Sequence, residues 1–306
     1  MRILVTGGAG FIGSHIVDRL VSEGHNVSVI DNLSTGKVEN LNRGAEFYKM
    51  DIVSHRIERV FKKERPELIC HLAAQMDVRR SVADPVYDAQ TNIIGMLNLL
   101  ENAQRYGTRK VIFSSTGGAV YGEEVTIPTP EDQPARPVSP YGISKLTGEH
   151  YLFFYKVTYG ISYVVLRYAN VYGPRQDPFG EAGVVAIFTQ KLLRNEQPVI
   201  NGNGMQTRDY VYVEDVVDAI SSSIYSDISD TFNVGTGTET SVNELFRVLA
   251  EITGSNIKEA YGQAKKGEQE RSCLSYDKIK KTLEWEPRVP LREGLTRTVE
   301  FFRGRQ

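Results

Sequence analysis

Tyr141 and Lys145 stand four residues apart in the stretch SPYGISKLTGEH, residues 139–150. On a helix, spacing i, i+4 puts both side chains on one face, one turn apart. An ordinary phenol ionises near pH 10, so acting as a base at neutrality needs a shift of roughly 3 units, about 4 kcal/mol. One cation at ~4 Å in an effective dielectric of ~20 supplies about 4 kcal/mol. Lys145 is therefore a sufficient cause, in magnitude, for a tyrosinate at Tyr141. The chain holds 16 tyrosines, and packing is the usual fate of that residue, so the pair takes its meaning from its surroundings.

TGGAGFIG places Gly7, Gly10 and Gly13 directly after an apolar run and ahead of a helical pattern. The spacing is G-x-x-G-x-x-G. Glycines there permit a tight turn and let backbone N–H groups approach a pyrophosphate at a helix N-terminus. The next apolar run ends in Asp31, where a carboxylate accepts hydrogen bonds from an adenosine ribose and repels a 2′-phosphate. The first basic residue after it is Lys37, too distant along the chain for an obvious phosphate clamp. NAD is favoured over NADP.

These groups need a scaffold. Short apolar runs at 2–7, 26–31, 46–51, 68–74, 110–116 and 162–169 read as parallel strands covered on both faces. Helical periodicity near 11–23, 55–63, 86–106 and 142–159 alternates with them. That order predicts an α/β fold, a doubly wound parallel Rossmann sheet, with right-handed crossovers. After about 172 the texture changes. YGPRQDPFGEAG reads as a loop, then come a helix at 184–194, a turn-rich NGNG, a strand in DYVYV, a helix from Glu214 and a buried strand at 231–237. We expect a dinucleotide-binding domain at 1–172 and a smaller α/β substrate-binding domain at 173–306, sharing some elements.

Length and composition exclude other classes. A chain of 306 residues, 41% hydrophobic and 24% charged, has ample core. A formal net charge of −2 gives no bulk attraction to nucleic acid or an anionic membrane. No apolar run reaches the ~18 residues of a membrane span. Two cysteines, Cys70 and Cys273, make no disulfide framework and no metal motif. With the first strand starting at residue 2, no signal peptide is expected, and the expected compartment is the cytoplasm.

Taken in order, the glycine loop, Asp31, Ser/Thr at a strand end and Tyr-x-x-x-Lys resemble the extended short-chain dehydrogenase/reductases that modify nucleotide sugars, of the UDP-glucose 4-epimerase type. HLAA (71–74), RYANVYGP (167–174) and RDYVYVEDV (208–216) extend the resemblance over essentially the whole chain. It implies that Thr116 bonds the sugar hydroxyl being oxidised. Ser115 is the alternative, because the loop carries an extra glycine. It also implies that NAD is held by Gly7, Gly10, Phe11, Ile12, Gly13, Asp31, Asn32, Ser34, Thr35, Gly36, Asp51, Ile52, Leu72, Ala73, Ala74, Gln75, Asn92, Ser114, Tyr141, Lys145 and Tyr168.

Enzymes of this type begin by oxidising a sugar C4 hydroxyl, the tyrosinate taking the proton and NAD the hydride. Relatives that eliminate across C5 and C6, or decarboxylate, place acids after the Ser/Thr. Gly117 and Gly118 stand there instead, so return of the hydride to the opposite face, C4 epimerisation, is the expected outcome. A 4,6-dehydratase, uronate decarboxylase or uronate epimerase is the nearest rival. A non-catalytic dinucleotide sensor is more distant, since it would be expected to lose Tyr141 or Lys145.

The resemblance further assigns Asn170 to the diphosphate-sugar, backbone near Val184 to uracil, Arg208 to the diphosphate and Glu268 to the ribose. Lys265 replaces the usual arginine and loses its planar fork. Ser272 falls where epimerases carry tyrosine or a small residue, and a small one leaves room for an N-acetyl group at C2. Apolar surface on 92–106 and 144–159 exceeds one buried stripe, and the family's two-fold helical interface makes a homodimer the expectation.

Overall fold

Strands form where β-branched and other apolar residues run without a break. The computed structural model describes residues 1–123, 125–179, 183–264 and 269–305. The chain begins with β1 (Arg2–Thr6), α1 (Phe11–Ser22), β2 (Asn26–Asp31), β3 (Glu46–Lys49), α2 (Glu58–Glu64) and β4 (Leu68–His71). Then come α3 (Val78–Ala83), α4 (Pro85–Ala89), a π-helical turn (Gln90–Ile94), α5 (Gly95–Tyr106), β5 (Lys110–Thr116), α6 (Gly117–Val120), α7 (Pro140–Tyr159) and β6 (Ser162–Tyr168). After these lie β7 (Asn170–Tyr172), α8 (Val184–Leu193), β8 (Ile200–Asn201), β9 (Thr207–Arg208), β10 (Tyr210–Tyr212), α9 (Val213–Tyr225) and β11 (Asp230–Val234). The last elements are β12 (Thr240–Ser241), α10 (Val242–Thr253), β13 (Tyr261–Gly262), β14 (Arg271–Ser272), α11 (Asp277–Leu283) and α12 (Leu291–Arg303).

The main sheet has seven strands in the order β11-β6-β5-β4-β1-β2-β3. Pairing is parallel from β3 through β2, β1 and β4 to β5. This is the α/β Rossmann-like architecture anticipated from the alternating pattern. Strand order reverses between β1 and β4, and such a switch point opens a crevice at the carboxyl ends of the strands. A cluster including Leu4, Ile30, Ile69, Val111 and Phe113 from strands packs with Phe61, Leu99, Leu100 and Leu152 from helices. These side chains are nearly fully enclosed, which fixes the sheet edge positions that carry the site.

Two compact units divide the chain. One comprises 1–122, 134–167 and 217–232; the other comprises 123–133, 168–216 and 233–306. The units change at 167/168, where the sequence reading divides the chain at 172/173, and the second unit also takes 123–133 from earlier in the chain while the first takes 217–232 from later. In the second unit β7 pairs in parallel with β10, and β9 lies between β12 and β14. Among the described residues no helix is long and apolar enough to cross a membrane, and no cluster of His, Cys, Asp or Glu is arranged to hold a metal ion.

Candidate active site

The glycine loop joins β1 to α1 at the switch point. Gly7 has φ +74°, and a Cβ there would lie 2.7 Å from the Ala73 nitrogen. A Cβ on Gly13 would collide with the Gly7 carbonyl oxygen. Both positions therefore require glycine, one for its dihedral and both for close backbone approach. Gly10 caps α1 without a side chain, so the first helical N–H groups open toward the loop. Asp31 ends β2, and its carboxylate accepts from Ala9 N at 3.0 Å and Leu33 N at 2.8 Å. Two of its roughly four acceptor directions remain for hydroxyl donors. A Cβ on Gly36 would press on the same carboxylate at 2.9 Å.

Around this loop, Asn32 donates to Asp51 at 2.9 Å, and its side-chain oxygen accepts from Ser34 N at 2.9 Å. Asn32, Ser34, Thr35 and Asp51 are exposed, Ile52 is buried, and Phe11 and Ile12 are half-buried at the start of α1. Leu72, Ala73 and Ala74 follow β4, with Ala73 N donating to the Thr6 hydroxyl at 3.2 Å. Tyr168 is buried at the end of β6. A loop of glycines, an open helix N-terminus and a carboxylate with spare acceptors fit a dinucleotide.

Tyr141 and Lys145 both lie on the first two turns of α7, which Ser139 caps by accepting from Gly142 N at 3.2 Å. Pro140 at the first helical turn fixes φ and lacks an N–H that would be orphaned there. Lys145 is 4% exposed. Its ammonium donates to the Ser114 carbonyl at 2.8 Å and lies 4.8 Å from the Phe113 ring centre and 5.8 Å from that of Tyr141. Burial pulls the Lys145 pKa down to about 8, against the opposing pull of the Asp88 and Glu149 carboxylates. The Tyr141 phenol, partly buried, is pushed above its ordinary pKa by burial first and by the Asp88 charge second. Neither effect is visible from the Tyr-Lys spacing in the sequence. In this chain alone, burial and the Asp88 charge hold the phenol above its ordinary pKa, and a further positive charge nearby would favour its ionisation.

β5 delivers the hydroxyls. Ser115 is 4% exposed and donates to Glu149 Oε1 at 2.6 Å. Glu149 is paired with Arg167 at 2.5 Å, so Ser115 is engaged in a buried ion-pair network. Thr116, the final β5 residue, is half-buried and is succeeded by the short helix α6 that begins at Gly117. Of the two hydroxyls, Thr116 is the one the fold leaves available.

The Asn92 side-chain amide brackets the Gln75 backbone. Gln75 N donates to Asn92 Oδ1 at 2.8 Å, and Asn92 Nδ2 donates to Gln75 O at 2.9 Å and to Asp88 Oδ1 at 3.0 Å. These amides shape the loop after β4. Sequence reasoning missed Asp88, Ser144 and Glu149. A signal existed: Gly142, Lys145, Glu149, Leu152 and Tyr155 recur at helical spacing, so an acid sits on the buried stripe of α7.

The second unit holds the other expected residues. Asn170 opens β7 and its N–H donates to the Asp209 carbonyl at 2.9 Å. Val184 begins α8. Arg208 on β9 lies opposite Ser272 on β14 in a parallel pair, and Ser272 is buried. Asp209, 1% exposed, accepts from the Thr236 N–H and hydroxyl, Gly237 N and Leu274 N, and so ties two further segments to the residue beside Arg208. Lys265 and Glu268 lie outside the described residues.

A Tyr-x-x-x-Lys pair on a helix beside a Rossmann switch point is the arrangement of a dinucleotide-dependent short-chain dehydrogenase/reductase scaffold. The GDP-mannose 4,6 dehydratase family model matches residues 4–298, and the chain belongs to that family of extended short-chain dehydrogenase/reductases. It is similar to the UDP-glucose 4-epimerase of Mycolicibacterium smegmatis, with 46% identity over 311 residues covering 100% of this chain and 99% of the relative. A crystal structure of UDP-glucose 4-epimerase with UDP-glucose from Thermotoga maritima superposes with TM-score 0.98 at 56% identity, covering 100% and 99% of the two chains. A Thermus thermophilus UDP-glucose 4-epimerase in complex with NAD gives TM-score 0.94 at 46% identity, covering 99% of each.

Proposed function

We propose that this chain is an NAD-dependent UDP-hexose 4-epimerase. The carrying observation is the setting of Thr116: it ends β5, Tyr141 and Lys145 share the adjoining face of α7, and Gly117 and Gly118 follow it. Neither glycine offers a proton donor or acceptor, so the elimination in the family's name lacks its acid and base here. The glycine loop, the α1 N-terminus and Asp31, with Asn32, Ser34, Thr35, Asp51, Ile52, Ser114 and Tyr168 as further neighbours, would hold the dinucleotide. When bound, NAD accepts a hydride and later returns it. Thr116 orients the sugar C4 hydroxyl, Tyr141 takes its proton and gives it back, and Lys145 stabilises the phenolate. The small residues after Thr116 leave room for the 4-keto sugar to present its other face.

The nucleotide side of the substrate falls to Asn170, Val184, Arg208 and Ser272. We assign 1–172 to cofactor binding and 173–306 to nucleotide-sugar binding. The exposed apolar residues Ile143, Phe153, Phe154 and Val157 on α7 support a homodimer in the cytoplasm, with Ile94 of the π turn contributing. Sedimentation equilibrium tests the dimer. Incubating pure protein with UDP-galactose and no added reductant tests the reaction. UDP-glucose is expected; its absence, with UDP-N-acetylgalactosamine also unchanged, rejects the reading.

A further inference from the structure

Asp88 is a buried acid for which that reading has no use. It lies on α4, is 0% exposed, and accepts only from uncharged donors. Gln75 Nε2 and Asn92 Nδ2 each donate to Oδ1 at 3.0 Å, and the Ser144 hydroxyl donates to Oδ2 at 2.6 Å. No ammonium or guanidinium is within ion-pair reach of it among the described residues. A buried carboxylate without a paired cation is expensive, so the fold keeps it against a cost. α4 packs against α7, and Ser144 is the neighbour of Lys145 on the turn that follows Tyr141.

The other charges nearby are accounted for. Glu149 is neutralised by Arg167 and takes the Ser115 hydroxyl. His71, on β4, is held neutral by burial. From α3, Arg79 and Arg80 are exposed, with Arg80 over the Tyr87 ring at 4.1 Å. Asp77 and Asp84 cap α3 and α4 and accept backbone N–H groups. Among the described residues, Asp88 is thus the buried carboxylate facing α7 that no cation pairs with.

Resting on the epimerase reading, we propose that Asp88 is a positioning residue and the counter-charge of the Tyr141–Lys145 pair: through Ser144 it fixes the first turns of α7, and through its charge it holds Lys145 as an ammonium. The requirement is physical. Lys145 is buried and must remain protonated beside a cofactor that is itself positive when oxidised. A carboxylate paired with a guanidinium, such as Glu149, supplies a weaker field than one bonded only by neutral donors, and Asp88 is the larger of the two at Lys145. The same field opposes ionisation of Tyr141, which places phenol and ammonium under one control.

The test is Asp88→Asn, an isostere that keeps all three hydrogen bonds once the Ser144 hydroxyl turns to accept. Removing the charge must make both Tyr141 and Lys145 ionise at lower pH. Both limbs of the kcat/KM profile on UDP-galactose are therefore expected to slide toward acid by about one unit, tenfold in each ionisation constant. Ultraviolet tyrosinate titration, taken as the difference from Tyr141→Phe, must show the phenol moving the same way without any turnover. Asp88→Ser, which removes the charge and leaves its space to water, must repeat both shifts. Limbs that stay in place, a uniform loss at every pH, or failure of both variants to fold each overturn the proposal. Inactive wild-type protein would defeat the epimerase reading alone, since the tyrosinate titration still reports on Asp88.

Discussion

The Ser115 hydroxyl donates to Oε1 of Glu149 across 2.6 Å in a buried setting, while Thr116, the next residue, is half-buried at the strand end. Alternation along β5 explains the difference, since adjacent strand residues point to opposite faces. Ser115→Ala is expected to cost about 1–3 kcal/mol of stability by leaving Glu149 short of a donor, with kcat changed less than about tenfold. Thr116→Ala is expected to lower kcat about 10²-fold with little effect on melting, and Thr116→Ser to restore most of it. Paired melting curves and steady-state rates on UDP-galactose check both; the opposite assignment of roles would reverse the pattern.

Gly13→Ala sets a new methyl against the Gly7 carbonyl oxygen, a backbone atom that cannot rotate away. Gly7 lies so near the Ala73 backbone that even a Cβ on it would sit 2.7 Å from the Ala73 nitrogen, so the loop has little room to yield. We expect a loss of more than about 2 kcal/mol in stability and the disappearance of tightly held nicotinamide from purified protein. Gly24→Ala, where nothing lies within 4 Å of the added carbon, is a surface comparison, with strain from its φ of +78° as its only cost. Denaturant titration and absorbance of the purified proteins read the difference.

Much of this geometry was legible before any coordinates. Apolar runs located the parallel strands because covered strands have no polar face, and the glycine spacing located the loop because only glycine survives such close approach. The π turn within 86–106 and the separate helix α3 were not visible, since helical periodicity does not distinguish a continuous helix from three joined pieces. Asp88 escaped notice because its partners Gln75, Asn92 and Ser144 come from three segments, and nothing local marks their convergence. The return of 217–232 to the first unit is a long-range pairing of the same kind. Tyr141 shows a further limit: the sequence displays the neighbouring cation but not the desolvation that opposes it.

His71 gives the chain an acid-sensitive element. Its Nδ1 lies 2.7 Å from the Thr6 hydroxyl, its ring stacks on Phe113, and burial drives its pKa from 6.5 down to about 3. A base whose folded pKa is depressed stays neutral in the fold while the unfolded chain takes up a proton. Its contribution is complete above about pH 6.5 and is lost as pH falls from there toward 3. The slope is about 1.4 kcal/mol per pH unit across that window. Urea titrations at stepped pH should show His71→Gln less stable at pH 7 but with a slope shallower by about one proton. An unchanged acid slope would remove His71 as its source.

Asp209 organises the segments proposed to hold the nucleotide. With four donors converging from Thr236, Gly237 and Leu274, it fixes the ends of β11 and β14 and the residue next to Arg208. Asp209→Asn presents an NH2 where acceptors are needed and is expected to cost about 1–3 kcal/mol. Because Arg208 and Ser272 depend on this frame, KM for the UDP-sugar should rise more than kcat falls. A variant with normal KM and normal melting temperature would show that the frame stands without it.

Ser272 faces Arg208 across the parallel β9–β14 pair, and its side chain is buried, so its size is set against a packed surface. A tyrosine there adds a ring to a position whose register cannot slip: Arg271 and Ser272 are matched with Thr207 and Arg208, and a one-residue shift would turn each side chain to the other face. The ring must therefore occupy the space beside Arg208. Ser272→Tyr is expected to remove turnover of UDP-N-acetylglucosamine by about 10²-fold while leaving UDP-glucose within about tenfold, because a bulky C2 substituent is rejected sterically and a hydroxyl is not. Product analysis with both sugars measures this, and equal loss on the two would remove Ser272 from the sugar-binding set.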